Sequence, residues 1–448
     1  MAAKKKPVIT LIGAGSRIFG FHMCTDLCQT PELKGAVVRL VDVDEEKLDT
    51  MRQLFQIVSE NTGMELVVSA HADRRKALPG SDFVILSVAR ERIRRWEMDL
   101  EIARKHGIVE VQGECGGPGG LSLTLRNIPL ILDIARDVQR LAPKAVVLNY
   151  SNPMVRVCTA IVKYTRLRVV GLCHQVLFGQ RNLSRVMGRS LIVKGCGTNH
   201  FNWIYGATWA DSGKDAWPAV VKTLKQNPDM TEFKYCLELF NIFGWMPSAG
   251  DQHLSEYLYH WRAPRHGGQA GPSCGGQGGG LNPRYNLHPK NMRPYHEGET
   301  RWEQRMASYL SRRKNPMDEV KGLSGEGAIP ILAAMFGLKP AYREIAANLP
   351  NKGYIPNLPK GACVEVAATV SRGKIAGEQT PELPAGLRSL MMRNLDIVEL
   401  AVEAAAEGSY SKALQALAID PIIDDLQVAR SILDDILKAH ADLLPRFT

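Results

Sequence analysis

No stretch of about 18 consecutive apolar residues occurs in the 448-residue chain, so no membrane-spanning helix is expected. The apolar run in the opening KKKPVITLIGAG is too short for the core of a secretory leader. Cysteine is sparse and irregular. Nine of them, an odd number without repeating spacing, argue against a disulfide framework and for a reducing, cytoplasmic setting. There is no internal repeat or low-complexity tract, which excludes a solenoid and general disorder. Aromatics make up only 7%, and no basic stripe is interleaved with them, so the formal charge of +10 does not read as a nucleic-acid platform. The densest cations are the arm MAAKKKP and the cluster RERIRRW, Arg90 to Trp96. The rest read as solvated surface, with a share available to an anionic substrate. What is present is ordinary globular composition, 45% hydrophobic and 23% charged, in a chain long enough for two domains.

The β-rich run PVITLI (7–12) breaks into GAGSRIFG, a helical stretch follows up to Pro31, and AVVRLVDVD (36–44) reads as a second strand ending in acids. Further strand-like runs are DFVILSV, AVVLNYSNP, RVVGLC and LIVKGCG. Helical patterns such as LRNIPLILDIARDVQRLAP separate them. This alternation predicts an α/β chain whose residues 1–198 form a mostly parallel, doubly wound sheet of the Rossmann type. Beyond about residue 200 the texture changes, and residues 199–448 read as a second, α+β domain. Within it, 262–294 holds too much glycine and proline for a packed element. That loop is either a tolerated surface insertion or a cover over substrate.

Gly13 and Gly15 match the first two glycines of G-x-G-x-x-G, with Ile18 in the third place. The first two permit a tight turn and close approach of backbone N–H groups to a pyrophosphate; the third serves helix packing. Gly13, Gly15, Ser16, Arg17 and Ile18 are therefore the cofactor-binding candidates. Asp42, ending the second strand, suits the ribose hydroxyls and favours NAD over NADP. The alternative is a glycine turn of another α/β fold, with Asp42 and Asp44 capping a helix.

Cys173 ends one strand run and His200 follows another, which allows both to project from the carboxyl edge of the sheet, where ligands bind in open α/β folds. A thiolate and an imidazole, with other positions left to water and substrate, suit an open catalytic metal site. Two residues are no motif, and on spacing alone a lone cysteine is more often core packing and a lone histidine a satisfied loop residue. In AGDQHLSEYLYHW, Asp251, His253 and Glu256 cluster where a helix begins. Asp251 is either a helix cap or a general base.

Taken in order, VITLIGAGSRIF, LVDVDEEKL, GECGGPGGLSLTLRNIPLILDIARDV, NYSNPM, GLCHQV, GTNHFNW, GDQHLSEYL, SGEGAIPIL and NKGYIPNLPKGACVEV resemble the NAD-dependent glycoside hydrolases of family 4 over nearly the whole chain. The resemblance implies a C-terminal domain like that of lactate and malate dehydrogenases, a homo-oligomer, and two cofactors, NAD and a divalent ion, usually manganese. It implies that Cys173 and His200 hold the ion and that Asn152 contacts the sugar. The implied mechanism is oxidation at C3 of the sugar, removal of the C2 proton by a base, loss of the aglycone from C1, water addition and re-reduction, with NAD reused.

Departures bear on the substrate. Phosphoglycosidases of the family usually follow the cysteine with an acid or amide and use a tyrosine base. Here His174 follows, and Asp251 stands in the GDxH segment, as in members acting on non-phosphorylated galactosides, glucosides or uronides. His174 then donates a proton to the leaving group or positions the substrate, and HQV departs from the usual HSV or HGV. Arg95, from the Arg90–Arg95 cluster, with Arg262, Arg265 and Arg284 of the long loop, would suit an anionic uronic or sulfonated sugar. Rival readings are a 2-hydroxy acid or sugar dehydrogenase and a non-enzymatic NAD sensor. The first lacks its GxHG segment, and the second has no need of Cys173 and His200.

Overall fold

The computed structural model describes residues 5–262, 281–285 and 287–447. Its strands are β1 (Val8–Ile12), β2 (Val37–Val41), β3 (Val67–His71), β4 (Phe83–Leu86), β5 (Val146–Asn149), β6 (Arg168–Gly171), β7 (Leu191–Thr198), β8 (Phe201–Trp209), β9 (Met246–Pro247), β10 (Tyr342–Pro350), β11 (Cys363–Ser371) and β12 (Lys374–Gly377). Strands β1 to β6 are parallel in the order 3-2-1-4-5-6, the doubly wound dinucleotide-binding arrangement. The central runs VITLI, FVIL and VVLN are apolar throughout or nearly so because helices cover both faces.

The sheet does not stop at β6. Asn348 of β10 pairs with Gly171 of β6, and the order continues through β11, β7, β8 and β9 in antiparallel pairings. LIVKGCG is thus the first arm of an antiparallel hairpin rather than one more parallel strand. The expected boundary at 198/199 falls inside that hairpin, because Thr198 pairs directly with Phe201 across the two-residue turn Asn199–His200. A helix between β6 and β7, Gln175–Met187, separates the parallel half from the antiparallel half.

Two apolar cores lie on either side of the sheet. One gathers the helix Arg17–Cys28, the helix Glu45–Thr62 and the helix Ala328–Phe336. The other gathers the helices Gly117–Leu141, Met154–Tyr164 and Ala385–Glu407. The last of these ends at Glu407. Gly408 caps it at φ +73°, and a Cβ there would stand 2.2 Å from the Arg446 carbonyl oxygen. Of the long loop expected at 262–294, residues 263–280 and 286, with Arg265 among them, lie outside the described residues. From Arg293 the chain is already helical, through Leu310.

Candidate active site

At the carboxyl edge of β1 the glycine turn forms as its residues demand. Gly13 has φ +86°, and a Cβ on it would lie 2.0 Å from the Ser87 carbonyl oxygen at the end of β4. The Gly15 N–H donates to Asp42 Oδ2 at 2.8 Å, and the Asp44 N–H donates to Asp42 Oδ1 at 3.1 Å. Asp42 therefore stands over the turn at the end of β2, each oxygen retaining lone pairs for hydroxyl donors. Ser16 is the N-cap residue of the helix Arg17–Cys28 with no side-chain capping bond, and Ile18 is 70% exposed beside it. Arg17 is engaged by Glu299. The packing duty of a third motif glycine falls instead to Gly20, where a Cβ would meet the Ala14 carbonyl oxygen at 2.5 Å.

Further along the same edge, Cys173 follows β6 and His200 occupies the β7–β8 turn. Cys173 Sγ and His200 Nε2 lie 3.4 Å apart. His200 adopts φ +61°, an uncommon conformation for a non-glycine residue that the hairpin enforces. It is buried, and its Nδ1 has no hydrogen-bond partner. Burial, and next His253, hold its pKa well below the usual histidine range, so it presents the neutral imidazole a metal requires. Burial, with the Glu365 carboxylate next, pushes the Cys173 thiol up to about 12, so a cation bound there displaces a proton. The neutral imidazole and the thiol beside its Nε2 fit a soft-to-borderline divalent ion. Cys115, His200 and Glu256 also offer ligand atoms within 4.8 Å of one another.

Around this pair lies a shell of carboxylates. The His253 ring lies tilted at 39° against His200 with centroids 3.9 Å apart, and His253 Nδ1 is 3.1 Å from Glu256 Oε2. Glu256 Oε1 accepts the N–H groups of Glu114, Cys115 and Gly116. Asn152 donates from Nδ2 to Glu114 Oε1 at 2.9 Å, Arg92 pairs with the same oxygen, and Asn127 fixes Asn152 by donating to its carbonyl oxygen. Burial works against ionisation of Glu114, yet Arg92, then His253, hold it well below the usual carboxylate range. Behind Cys173, Glu365 Oε1 accepts from Asn199 and Asn348, each at 3.0 Å. His174 is exposed beside the pair. Its Nδ1 is 3.9 Å from Glu326 Oε2, and Glu326, held down at about 2 despite burial, raises His174 above its ordinary range.

Two candidates lie elsewhere. Asp251 accepts the N–H groups of Tyr235 and Cys236 on its two oxygens, at 3.1 and 2.9 Å, so it caps the preceding helix Lys234–Phe243 instead of facing Cys173. Both carboxylate oxygens accept from a helix N-terminus, which is the capping alternative that the sequence allowed beside the general base. Arg95 is 4% exposed and bound to Asp442, Glu91 and His440, so it faces the C-terminal segment; the arginine beside the site is Arg92, one helical turn earlier. Arg262 pairs with Asp424. Glu114, Glu326 and Glu365 were not singled out from the sequence. Their signal was a lone acid inside a glycine-rich or apolar run: GECGGPGG, SGEGAIPIL and ACVEVAATV.

Comparison with known proteins decides the family. The profile described as "Family 4 glycosyl hydrolase" matches residues 8–189, and that of its C-terminal domain matches residues 195–423. The chain belongs to glycosyl hydrolase family 4. Relatives of this family 4 glycosyl hydrolase include an alpha-glucosidase of Erwinia rhapontici, 30% identical over 95% of this chain and 96% of that protein. An alpha-galactosidase of Bacillus subtilis (strain 168) is 28% identical, covering 98% of this chain and 99% of the relative, and an alpha-galacturonidase of the same organism is 27% identical over 96% of each. Among solved structures, a 6-phospho-alpha-glucosidase from gut microorganisms, in complex with NAD and Mn2+, superposes with a TM-score of 0.82 at 21% identity, covering 98% of this chain and 99% of the other. A malate dehydrogenase of Cryptosporidium parvum gives 0.53 at 13% identity, covering 90% and 99%. The dehydrogenase likeness is one of fold, as expected for the C-terminal domain. With the family established, the dehydrogenase and sensor readings fall away. Among the described residues no helix is long and apolar enough to cross a membrane.

Proposed function

We propose that this family 4 glycosyl hydrolase cleaves a non-phosphorylated glycoside, of the glucoside, galactoside or uronide class, with NAD bound at the Gly13–Gly15 turn and a divalent ion, manganese by preference, held by Cys173 and His200. The observation that carries the reading is the 3.4 Å approach of Cys173 Sγ to a neutral His200 whose second nitrogen is buried and unpartnered. His174, in place of an acid or amide after the cysteine, supports a substrate without phosphate. So do the names of the relatives, alpha-glucosidase, alpha-galactosidase and alpha-galacturonidase.

When bound, NAD supplies reversible hydride exchange at a sugar carbon, and the ion supplies Lewis acidity toward adjacent sugar oxygens. The chain's own residues do the rest. Asn152, pinned by Asn127 and Glu114, offers a sugar hydroxyl a fixed amide. Glu256, clamped by three backbone N–H groups, holds His253 Nδ1 as a donor, which leaves Nε2 free to accept a proton beside His200. His253 thus takes the base role in place of Asp251. His174, whose pKa the Glu326 carboxylate raises, would protonate a departing aglycone from the exposed side. Arg92, beside Glu114, is the cation available to a uronic carboxylate. A reducing cytoplasmic setting and self-association belong to the same reading.

The test is a panel of nitrophenyl α- and β-glycosides, including uronides and a sulfoquinovoside, assayed with NAD, manganese and reductant. Hydrolysis of a non-phosphorylated member, lost on chelation and restored by manganese, with a kinetic isotope effect from deuterium at C2, is the expected result. Activity confined to 6-phosphoglycosides, or unaffected by removal of both NAD and metal, would overturn it.

A further inference from the structure

One helix ties together two layers that the sheet separates. The helices Arg17–Cys28 and Glu45–Thr62 belong to the core on one face, whereas Arg92–Lys105 packs with the other core through Ala103. The helix Arg293–Leu310 touches both. Its second half joins the first core: Met306 and Tyr309 are buried there, Tyr309 stacks on Phe21 with ring centroids 5.9 Å apart, and Trp302 meets the same ring edge-on at 6.1 Å. Its first half reaches the opposite layer, where Tyr295 packs edge-on against Trp96 at 5.3 Å and His296 Nε2 lies 2.6 Å from Glu97 Oε1. To touch both layers, the helix has to pass over an edge of the sheet.

The residues it meets fix which edge. Arg17, paired with Glu299, begins the helix that follows β1, and Trp96 and Glu97 lie in the second turn of the helix that follows β4. β1 and β4 are neighbours, and the strand order reverses between them. The crevice outside the carboxyl ends of such a pair is where open α/β sheets take a dinucleotide. His296 and Glu299 are one turn apart, roughly 4.5 Å along the axis, so residues 296–299 span the mouth of that crevice.

The span is weakly held on one side. Residues 293–297 are exposed, and this end is fixed by a cluster of three buried residues, Trp96, Leu100 and Met292, detached from both large cores. Segments with so little buried apolar contact open locally at small cost in free energy. Gly298 lies between the two polar contacts, and a Cβ there would meet nothing within 4 Å. Packing therefore does not demand glycine, and the residue weakens the helix relative to alanine.

We propose that the helix Arg293–Leu310 is a clamp over the NAD crevice, latched by Glu299 on Arg17 and by Glu97 on His296, and that it opens at its Trp96 end to admit and release the cofactor. This role rests on NAD occupying the Gly13–Gly15 turn, as proposed above. A cofactor that is reduced and reoxidised within one turnover has no need to leave, so a clamp that slows its exchange does not slow the reaction.

Stopped-flow fluorescence of NADH, mixed with the full chain and then chased with excess NAD, reads both association and release. Glu97→Gln combined with Glu299→Gln should raise the release rate at least about fivefold, and the association rate with it, so that Kd changes less than either rate. Gly298→Ala, which stiffens the span, should slow both rates about threefold. Should the double variant not fold, Gly298→Ala decides by the same two rates. Faster release with association at the native rate would mean a lost contact and no clamp, and two unchanged rates would equally overturn the role. Absence of NADH binding to the native chain would remove the cofactor site itself, and the clamp with it.

Discussion

His253 Nδ1 stands 3.1 Å from Glu256 Oε2, while the other oxygen of that carboxylate is held by three backbone N–H groups of the segment 114–116. A carboxylate so fixed cannot swing, and it sets both the tautomer and the direction of the imidazole. His253→Gln should therefore lower kcat by about 10² to 10⁴ with little change in melting temperature or metal content. Exchange of the substrate C2 proton with D2O should be lost in the same variant. Retained exchange would remove His253 from the base role.

Asp251 is expected to behave oppositely. Its carboxylate caps the helix Lys234–Phe243, so Asp251→Asn and Asp251→Ala should destabilise the fold, the alanine by about 1 kcal/mol in urea denaturation, while activity per folded molecule persists. A collapse of kcat with stability intact would restore Asp251 as the base.

The parallel half of the fold was legible because VITLI, VVRLV and FVIL are buried on both faces and hence apolar almost without interruption. The antiparallel half was harder. LIVKGCG carries the same local pattern as a parallel strand, and only its pairing with Phe201–Trp209 reveals the hairpin. At the site, Cys173 and His200 stood out because soft and imidazole ligands at strand ends are rare. The placements of Asp251 and Arg95 were not legible, because an acid or a guanidinium looks the same in sequence whether it faces a pocket, a helix N-terminus or a C-terminal Asp442. Distances between residues far apart in sequence carry that distinction, and hydrophobic periodicity does not encode them.

Glu365 offers a pH signature. Fully buried, its carboxyl is pushed up to about 7 by burial, although the amides of Asn199, Asn348 and Asn202 favour the charged form. In the unfolded chain it ionises near the ordinary carboxyl value of 4.5. Between these values the native state holds a proton that the unfolded chain has released, so stability falls as pH rises, by at most about 1.4 kcal/mol per pH unit. Below 4.5 and above 7 the group contributes no slope. Glu365→Gln should flatten the decline between pH 5 and 7 in urea titrations. An identical slope in the variant would mean that Glu365 is ionised in the fold.

Gly13 and Gly63 separate backbone strain from steric closure at the cofactor turn. Both have positive φ, +86° and +65°, so alanine at either place carries the left-handed penalty of about 1 kcal/mol. Their surroundings differ. A Cβ at Gly63 meets nothing within 4 Å, whereas at Gly13 it would lie 2.0 Å from the Ser87 carbonyl oxygen, which forces β1 and β4 apart where a pyrophosphate would sit. Gly63→Ala should therefore lower stability modestly and leave NAD affinity unchanged. Gly13→Ala should weaken NAD binding at least about tenfold, equivalent to about 1.4 kcal/mol, in a fluorescence or calorimetric titration. Equal NAD affinities in the two variants would place the dinucleotide elsewhere, since a turn that tolerates a displaced carbonyl is not one that grips a phosphate through its backbone.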